Sequence, residues 1–479
     1  MCGIFGIIGN APIAEAIYHG IIQLQHRGQD AAGIFTYDSI SGKHALHKDK
    51  GLVTEVFNSD NLPLPNASWG IGHVRYATIG NGSVNDTQPL YVNNHQIVGM
   101  AHNGNVVNYV PARKQLEKQG AIFESDCDVE VILHLFAMTL PDGNCDFESI
   151  CNAVQNVYQN VKGAYSVVAI VAGHGLVAFR DPNGIRPLLY GTRPDIEGHA
   201  FSSETNSMLA LDFRNISDVN PGEVVFIDKE HQVHRKILAN SKQASCSFEY
   251  DYFSKPNTIL NNKEVYDVRS NLGKALAKHV KDEGIEADVV IPIPSTARAA
   301  AIALAQELNL PYEEGFVKQD YIGRTFIMPT QGVRQSALKR KLAAVSSVIK
   351  GKRVILVDDS VVRGTVSKRV ITLAREAGAE KVYFASTYPP IQHACPYGID
   401  FPNSDQLIAL NRSVQEVSDE IKADGLIYND VDDLQNSIGS DKICTACLTG
   451  CYPTGTAGME ELQNLRIKHL NELELSCKN

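Results

Sequence analysis

The second residue of the chain is a cysteine, and this position would give its thiol unusual chemistry. Removal of Met1 would leave Cys2 as the first residue, with its thiol and a free α-amine on neighbouring carbons. An α-amine has a pKa of about 7.7–8.0, so near neutral pH a useful fraction can accept the thiol proton. The alternative is an ordinary buried cysteine at the start of a strand. The position therefore indicates a candidate nucleophile that carries its own base.

Polar residues near three predicted elements could complete a site for this nucleophile. Residues 25–30 form a polar turn after an apolar helix, and residues 72–78 place Arg75 after a predicted strand. Another strand ends at Asn103 and Gly104, where an amide side chain and a closely approaching backbone N–H could stabilise an oxyanion. Each feature alone has a plainer interpretation, Arg75 as a surface ion pair and Asn103-Gly104 as a turn. Their combination with Cys2 is what indicates a reaction site.

Together these segments resemble the N-terminal-nucleophile glutamine amidotransferase domain across residues 2–235. The resemblance implies an α+β fold of two stacked sheets between helices, the αββα arrangement of N-terminal-nucleophile hydrolases. It also implies that Cys2 attacks the side-chain amide of glutamine while Asn103 and Gly104 hold the oxyanion. A guanidinium fork suits a carboxylate, so Arg75 would bind that end of the substrate. The implied substrate-binding residues in this domain are Arg27, Arg75 and Asp128.

The residue that would hold the substrate ammonium has two candidates. Asp126 and Asp128 lie two residues apart, just before a helix predicted at residues 129–140. Aspartate in the position of Asp128 is also typical of a helix N-cap. The Asp-x-Glu-Val pattern of the resemblance aligns on Asp128, which is therefore preferred over Asp126.

An apolar run at residues 354–357 ends in two adjacent acids, Asp358 and Asp359, followed by a loop and a helix. Such a run is typical of a central strand in a parallel sheet, and ligands bind beyond the carboxyl ends of such strands. The loop before the helix offers free backbone N–H groups, which suit a phosphate. Adjacent buried carboxylates repel each other unless hydroxyl groups or a cation meet them, so a solvated turn is the weaker interpretation. These two could bind vicinal hydroxyls and help to hold Mg²⁺.

This motif resembles the signature of the phosphoribosyltransferases, which bind phosphoribosyl pyrophosphate (PRPP). The resemblance implies a type I phosphoribosyltransferase domain, an α/β fold with a parallel sheet. Asp358 and Asp359 would bind the ribose hydroxyls, and Thr296 would join them at Mg²⁺ from the turn after an upstream strand. The residues implied at the 5′-phosphate are Ser360, Arg363, Gly364 and Thr365.

A strongly basic segment lies between these two strands. Residues 318–341 hold six lysines and arginines against one acid, although the chain has a net charge of −10. One interpretation is a basic surface loop that touches nucleic acid, and the other is a lid that closes over a polyanion and excludes water. Residues 321–329 resemble the lid of the amidophosphoribosyltransferases, which adds Arg324 and Lys339 to the implied PRPP-binding residues. That family joins both domain types in this order, so the resemblance implies the first step of de novo purine synthesis: PRPP, glutamine and water give 5-phosphoribosylamine, glutamate and pyrophosphate.

Four cysteines match the ligand positions of the branch of this family that carries an iron–sulfur cluster. Cys444 and Cys447 form a C-x-x-C pair, and Cys246 and Cys395 lie upstream of it. The pair alone would suit zinc or reduced thiols about as well. With all four positions matched, the resemblance implies a [4Fe–4S] cluster. Cys451, four residues after the pair, departs from the pattern and competes as a ligand.

Composition limits the other interpretations. The chain has 479 residues, 44% hydrophobic and 20% charged, which predicts a soluble protein of two or three domains. Its apolar runs are far shorter than the ~20 residues that span a bilayer, and no secretory signal is visible. We therefore expect a cytoplasmic protein without a membrane partner, and its acidity disfavours nucleic-acid binding.

Two other functions compete with the implied one. An amidotransferase that makes glucosamine phosphate or asparagine would share residues 2–235 but has no reason to carry Asp358 and Asp359. A regulatory protein that senses PRPP would be expected to lose catalytic residues such as Cys2 or Asn103, or to add a nucleic-acid-binding element.

The expected organisation has four parts: the amidotransferase domain at 2–235, an interdomain stretch at 236–262, the phosphoribosyltransferase domain at 263–455 and a C-terminal helix at 456–479. The helix is predicted to serve packing or oligomerisation. The family resemblance further implies a homotetramer that purine nucleotides inhibit.

Overall fold

The computed structural model describes residues 1–58, 60–77, 79–80, 82–319, 342–401 and 404–476, with side chains through residue 469. Within these residues the chain forms an α+β half built on two antiparallel sheets, followed by an α/β half built on a parallel sheet. The predicted fold class, including the order of the two halves, is confirmed.

The first half contains a seven-stranded sheet and a six-stranded sheet among the described residues. The strand order is β11-β9-β10-β1-β4-β2-β3 in the first and β13-β12-β8-β7-β6-β5 in the second. The strands are β1 (Gly3–Ile8), β2 (Ala31–Tyr37), β3 (His44–Lys50), β4 (Trp69–Arg75), β5 (Leu90–Asn93), β6 (Ile97–Val106), β7 (Gly163–Val171), β8 (Gly175–Arg180), β9 (Leu189–Arg193), β10 (Gly198–Ser202), β11 (Arg214–Asp218), β12 (Glu223–Asp228) and β13 (Val233–Ile237).

The two sheets stack face to face, and helices cover their outer faces. Ile4, Phe35 and Val168 belong to the apolar layer between the sheets, where β1 lies against β6 and β7. Strands covered on both faces lose the apolar/polar alternation, which is why the sequence shows wholly apolar runs here. The helices are α1 (Ala14–Gln23), α2 (Val53–Val56), α3 (Tyr109–Lys118), α4 (Val129–Ala137), α5 (Phe147–Asn160) and α6 (Thr205–Leu209).

A four-stranded parallel sheet forms the centre of the second half, in the order β17-β20-β21-β22 within the described residues. The alternation of strands and helices in the sequence predicts such a sheet, because parallel neighbours need crossover connections. Its strands are β17 (Val289–Pro292), β20 (Arg353–Asp358), β21 (Lys381–Ser386) and β22 (Gly425–Tyr428). The short flanking strands are β14 (Ser245–Cys246), β15 (Ile259–Leu260), β16 (Lys263–Glu264), β18 (Phe316–Lys318), β19 (Leu342–Ala344) and β23 (Ile443–Cys444).

The helices of the second half are α7 (Val265–Asp282), α8 (Arg298–Leu308), α9 (Ser346–Ile349), α10 (Thr365–Glu376), α11 (Val414–Ile421), α12 (Val431–Ile438), α13 (Ala446–Thr449) and α14 (Met459–Ser476). The last of these packs back on the first half: Leu462 is buried and α14 lies against α3. The described helices include none with the length and apolar character needed to cross a membrane.

Candidate active sites

Cys2 lies immediately before β1, the central strand of the seven-stranded sheet. β1 pairs antiparallel with β4, with Gly3 opposite Val74, so the same register sets Cys2 beside Arg75. The thiol is buried and donates to the carbonyl oxygen of Tyr76, 3.7 Å away. Burial raises the pKa of the Cys2 thiol, and the nearby positive charges of the chain terminus and Arg75 act in the opposite direction. The structure therefore brings together the predicted nucleophile and the predicted carboxylate-binding guanidinium.

Asn103 and Gly104 lie near the end of β6, in the sheet that faces β1. Asn103 is fully buried, and neither its amide nitrogen nor its amide oxygen has a hydrogen-bond partner among the residues described. An unsatisfied buried amide is costly and uncommon, which points to a partner supplied by a ligand. Gly104 has φ +156°, and a Cβ there would lie 1.9 Å from the carbonyl oxygen of Ala164. The strand therefore requires glycine at this position.

Asp128 and Asp126 have different surroundings. The Asp128 carboxylate is buried, accepts a 2.7 Å hydrogen bond from the Val106 N–H and lies 3.5 Å from the imidazole of His102. Burial alone would raise the pKa of Asp128, but His102 and the Val106 N–H outweigh it and lower that pKa. The charge of Asp128 acts on the Cys2 thiol, whereas Asp126 is 40% exposed and pairs with Arg113 at 3.2 Å. Of the two candidates, the structure sets Asp128 near the nucleophile.

The Arg27 guanidinium, predicted at the glutamine site, is engaged by protein groups in the structure. The side chain is fully buried and pairs with Glu204 at 2.6 Å and Glu249 at 2.7 Å. Its Nε donates to the carbonyl oxygen of Cys2 at 3.0 Å. Four of its five N–H groups are thus engaged by protein acceptors, and through Nε the Arg27 guanidinium holds the backbone of the nucleophile.

The paired acids lie where the sequence predicts, at the carboxyl end of the central strand β20. Both are buried, and the Asp359 N–H donates to the Asp358 carboxylate at 3.0 Å. Thr296 and Ser360 donate to the Asp359 carboxylate, the latter at 2.8 Å. Burial and then the charge of Asp359 raise the pKa of Asp358 well above its usual range. Two buried carboxylates with raised proton affinity form a site that would bind a cation or hydroxyl groups.

The loop after the paired acids leads into α10. Gly364 has φ +72° and precedes the first helical residue, Thr365. Arg363 contacts Gln406 at 3.0 Å, and its Nη2 lies 3.8 Å from Asp400. Arg324 and Lys339, the two residues predicted from the basic segment, lie outside the described residues.

A segment of the second half closes over the amidotransferase site. Asn105 donates to the Pro396 carbonyl at 2.7 Å, and Arg186 donates to the Tyr397 carbonyl at 2.9 Å. The Tyr76 hydroxyl contacts Asp400 at 3.2 Å, so Asp400 lies against both the residue after Arg75 and Arg363 in the loop before α10. The sequence analysis missed the contacts between the two halves, because their partners are separated by more than 200 residues and no local pattern marks them.

The four cysteines matched to a cluster lie near one another in the structure. β14 and β23 pair in parallel with Cys246 opposite Cys444, and Cys447 follows on α13. All four thiols are buried, whereas Cys451 is exposed. Burial raises the pKa of Cys246 to about 11; the charge of Arg186 acts in the opposite direction, and the charge of Cys395 adds to the rise. Cys395 and Cys246 also act on Cys444 and Cys447, so the four thiols share one environment.

Comparison with protein families divides the chain in the same two parts. A family model described as a glutamine amidotransferase domain matches residues 73–210. A second model, described as a phosphoribosyl transferase domain, matches residues 261–400. The paired acids and their loop lie within the second match, and Arg75, Asn103, Gly104 and Asp128 lie within the first.

Relatives similar over nearly the whole chain share one name. The amidophosphoribosyltransferase of Pseudomonas aeruginosa is 44% identical over 476 residues, which cover 95% of this chain and 93% of that protein. The amidophosphoribosyltransferase of Pyrococcus horikoshii is 43% identical over 453 residues, covering 94% and 96%. A solved structure of glutamine PRPP amidotransferase from B. subtilis, complexed with ADP and GMP, is 39% identical with a TM-score of 0.84, covering 94% of this chain and 97% of that one.

These relatives and the two domain matches carry the same conclusion as the geometry. A buried cysteine beside an unsatisfied amide in one half, and paired acids at a strand end in the other, are what a glutamine-dependent transfer to a ribose phosphate requires. The chain belongs to the amidophosphoribosyltransferases, the enzymes of the first step of purine biosynthesis.

Proposed function

We propose that the two sites act in sequence, with Cys2 releasing ammonia from glutamine and the paired acids holding the PRPP that receives it. The observation that carries this proposal is the Asn103 amide, which is fully buried without a partner among the described residues. Its N–H groups and the Gly104 N–H would donate to the oxyanion that forms when the thiolate attacks the glutamine amide. The donors would then be satisfied only while the reaction proceeds.

The thiol requires a base, and we propose the α-amine that removal of Met1 would expose. Met1 is 2% exposed, so its removal would also open space beside Cys2. Burial raises the pKa of the thiol, which makes a base on the same residue valuable. Arg75 would bind the α-carboxylate of glutamine, and Asp128 its α-ammonium.

The second half-reaction forms a bond between ammonia and C1 of the ribose and breaks the bond from C1 to pyrophosphate. Asp358 and Asp359 would accept hydrogen bonds from the ribose hydroxyls, and Ser360, Arg363, Gly364 and Thr365 would surround the 5′-phosphate. Attack opposite the leaving group predicts inversion at C1, from the α to the β anomer. The positively charged side chains of Arg324 and Lys339 would bind the negatively charged pyrophosphate. Formation of the α product would contradict this geometry.

The paired acids also fit Mg²⁺. They are buried oxygen ligands whose pKa values are raised, beside the Thr296 hydroxyl, a donor set that a hard divalent cation prefers. Asp358, Asp359 and Thr296 would hold the ion. When bound, Mg²⁺ would offset the negative charge that develops on the departing pyrophosphate.

Ammonia must remain unprotonated between the two sites, because ammonium is not a nucleophile. Pro396 and Tyr397 of the second half accept hydrogen bonds from Asn105 and Arg186 of the amidotransferase half, which supports an interface between the two sites. We propose that ammonia moves inside this interface without entering bulk water.

The test is pyrophosphate release that depends on both glutamine and PRPP. We expect Cys2→Ala to abolish the glutamine-dependent reaction and to keep the reaction driven by an ammonium salt. Cys145→Ala is the matched control, since Cys145 is also a buried thiol but lies away from both sites, and it should keep both reactions. Loss of the ammonia-driven reaction in folded Cys2→Ala, or Met1 still attached to fully active protein, would contradict the proposal.

We further propose a [4Fe–4S] cluster on Cys246, Cys395, Cys444 and Cys447. The four thiols share one buried environment, yet within the described residues no three of them come within 4.8 Å of one another. Four buried cysteines in one environment supply the number of thiolates that such a cluster requires. About four irons per chain in brown, anaerobically purified protein would support the cluster, and iron-free protein would contradict it.

Two properties of regulation and assembly remain proposals. A B. subtilis relative was solved with ADP and GMP, which supports inhibition of this chain by purine nucleotides. We propose that the nucleotides bind at the ribose-phosphate site and near a subunit interface. If excess PRPP relieves the inhibition, this result would support nucleotide binding at the ribose-phosphate site. We also propose a homotetramer, which sedimentation of the full chain would test by a mass of four chains.

A further inference from the structure

A five-residue π-helical turn, Glu249–Phe253, lies between the two halves of the chain and carries two buried acids. Glu249 and Asp251 are each 1% exposed. Acidic side chains are almost never this buried unless they are paired, because an unpaired buried charge is very costly. Neither residue belongs to the sites described so far, so each requires an explanation.

Glu249 supports the amidotransferase site through Arg27. Its carboxylate accepts two hydrogen bonds from the Arg27 guanidinium, at 2.7 and 3.0 Å, and a third from the Ser254 hydroxyl at 3.0 Å. The Nε of the same guanidinium donates a hydrogen bond to the carbonyl oxygen of Cys2 at 3.0 Å. Hydrogen bonds from both Nη atoms to one carboxylate fix the orientation of the planar guanidinium, and therefore the direction of its Nε–H bond. Glu249 therefore fixes the group that holds the backbone of the nucleophile.

Asp251 supports the other site through Thr387, which follows β21. The Thr387 hydroxyl donates to Asp251 Oδ1 at 2.7 Å, and the Thr387 N–H donates to the carbonyl oxygen of Asp358 at 3.0 Å. The same hydroxyl lies 3.2 Å from the carbonyl oxygen of Asp359. β21 is the parallel neighbour of β20, so Thr387 lies directly beside the paired acids. Asp251 thus fixes the side chain of a residue whose backbone supports the PRPP-binding carboxylates.

The turn that carries both acids is itself held in place. Arg269, on α7, is buried and donates to the carbonyl oxygens of Tyr250 at 2.9 Å and Ser254 at 2.8 Å. Positions two residues apart on a helical turn do not face each other, so side chains at 249 and 251 can reach in different directions. One clamped turn can therefore serve two sites.

We propose that Glu249 and Asp251 are positioning residues, Glu249 for the glutamine reaction at Cys2 and Asp251 for PRPP binding at Asp358 and Asp359. The proposal rests on the proposed roles of those three residues. It assigns separate kinetic effects to two acids on one turn: a change at Glu249 acts on ammonia release, and a change at Asp251 acts on the use of PRPP.

The first test replaces each acid by its amide, which preserves shape and changes the hydrogen-bonding group. We expect Glu249→Gln to lower kcat for the glutamine-dependent reaction about tenfold or more, since a charge-assisted hydrogen bond is lost, while the ammonia-driven reaction stays within about twofold. We expect Asp251→Asn to raise KM for PRPP about tenfold in the ammonia-driven reaction, with glutamine hydrolysis measured without PRPP within about twofold.

A second pair of variants isolates the hydrogen bond to Asp251. Thr387→Val removes the hydroxyl at nearly constant shape and should raise KM for PRPP as Asp251→Asn does. Thr387→Ser retains the hydroxyl and should restore a KM near that of the wild type. A structural role alone would lower stability without this rescue of KM.

The matched control is Glu223→Gln. Glu223, on β12, is 4% exposed and pairs with Arg235 at 2.8 Å. Like Glu249, it is a buried, ion-paired acid, but it lies outside both sites. Its amide variant should keep both reactions within about twofold.

Some results would overturn the proposal. Equal slowing of both reactions by Glu249→Gln, or an unchanged KM for PRPP in both Asp251→Asn and Thr387→Val, would do so. If an acid variant fails to fold, Ser254→Ala and Thr387→Val decide the same questions, since they remove the neutral partners of the two carboxylates. Failure of the wild type to release pyrophosphate from PRPP would instead reject the proposed function itself.

Discussion

Asp128 shows how one side chain can serve a site at the expense of its helix. It begins α4, a position where aspartate usually caps the free N–H groups of the first turn. In the structure its side chain makes no such cap and instead accepts the Val106 N–H at 2.7 Å. The sequence predicts the residue, but the helix cap that it suggests does not form, because the carboxylate is turned toward the neighbourhood of Cys2.

We predict that Asp128→Asn raises KM for glutamine about tenfold or more, because an amide cannot pair with the substrate ammonium by charge. Asp126→Asn, two residues away, should leave that KM within about twofold, since Asp126 is 40% exposed and paired with Arg113. Steady-state kinetics over a range of glutamine concentrations distinguish the two. The reverse result would assign the ammonium to Asp126.

Glu204 gives a prediction about pH. Burial alone would raise the pKa of this fully buried acid, but His26 and Arg27 outweigh it and lower the pKa from 4.5 to about 2. Its ionised form therefore stabilises the fold above pH 4.5, and that contribution, about 3 kcal/mol for this shift, is lost as the pH falls toward 2.

Glu204→Gln should consequently lower the melting temperature at pH 7, and the difference from the wild type should shrink between pH 4.5 and pH 3. Thermal unfolding followed by circular dichroism at both ends of that range gives the comparison. A difference that stays constant as the pH falls would show that the ion pairs do not carry the effect.

Among the elements, β6 is the one whose backbone the site constrains most. Gly104 has φ +156°, and a side chain there would collide with the carbonyl oxygen of Ala164 on β7. Only glycine lets the strand end place its N–H beside Asn103 without moving the neighbouring strand.

We predict that Gly104→Ala lowers the glutamine-dependent activity at least about a hundredfold, since both the strand end and its donor must shift. The ammonia-driven reaction in the other half should survive. Gly143→Ala is the control, because Gly143 also has a positive φ, +95°, but a Cβ there meets nothing within 4 Å. Its glutamine-dependent activity should remain within about twofold.

The elements that carry motifs could be predicted from the sequence, and those fixed by distant partners could not. The apolar run before Asp358 predicts β20 and its position in a parallel sheet, which the structure confirms. The turn at Glu249 gives no local signal, since its main partner Arg27 is 222 residues away. Arg27 itself lies in a recognisable motif, but only the fold shows that two buried acids occupy its guanidinium.

At the scale of the whole molecule, buried polar contacts join the two halves. Helix α14 from the chain's end packs on the first half, where Gly80 donates to His469 at 3.3 Å. Arg466 is 5% exposed and donates to the Cys395 carbonyl at 3.0 Å, and its Nε and Nη2 have no partner within the part of the chain described. The charges of Asp400 and Asp128 both act on this guanidinium.

We predict that Arg466→Met impairs the glutamine-dependent reaction about tenfold, because a buried cation beside Asp128 is lost while the volume is retained. The ammonia-driven reaction should change much less. Lys468→Met is the control on the same helix, since Lys468 is exposed, and it should leave both reactions near the wild type. Equal loss in both reactions would indicate a general loss of stability.

The pairing of β14 with β23 links the proposed cluster to the activity of both sites. Cys246 lies on β14, only three residues before Glu249, and Cys444 lies opposite it on β23. If the proposed cluster fastens these strands, then its destruction by oxygen would release the segment on which both reaction centres depend. Loss of the proposed cluster would then impair glutamine use and ribose transfer together.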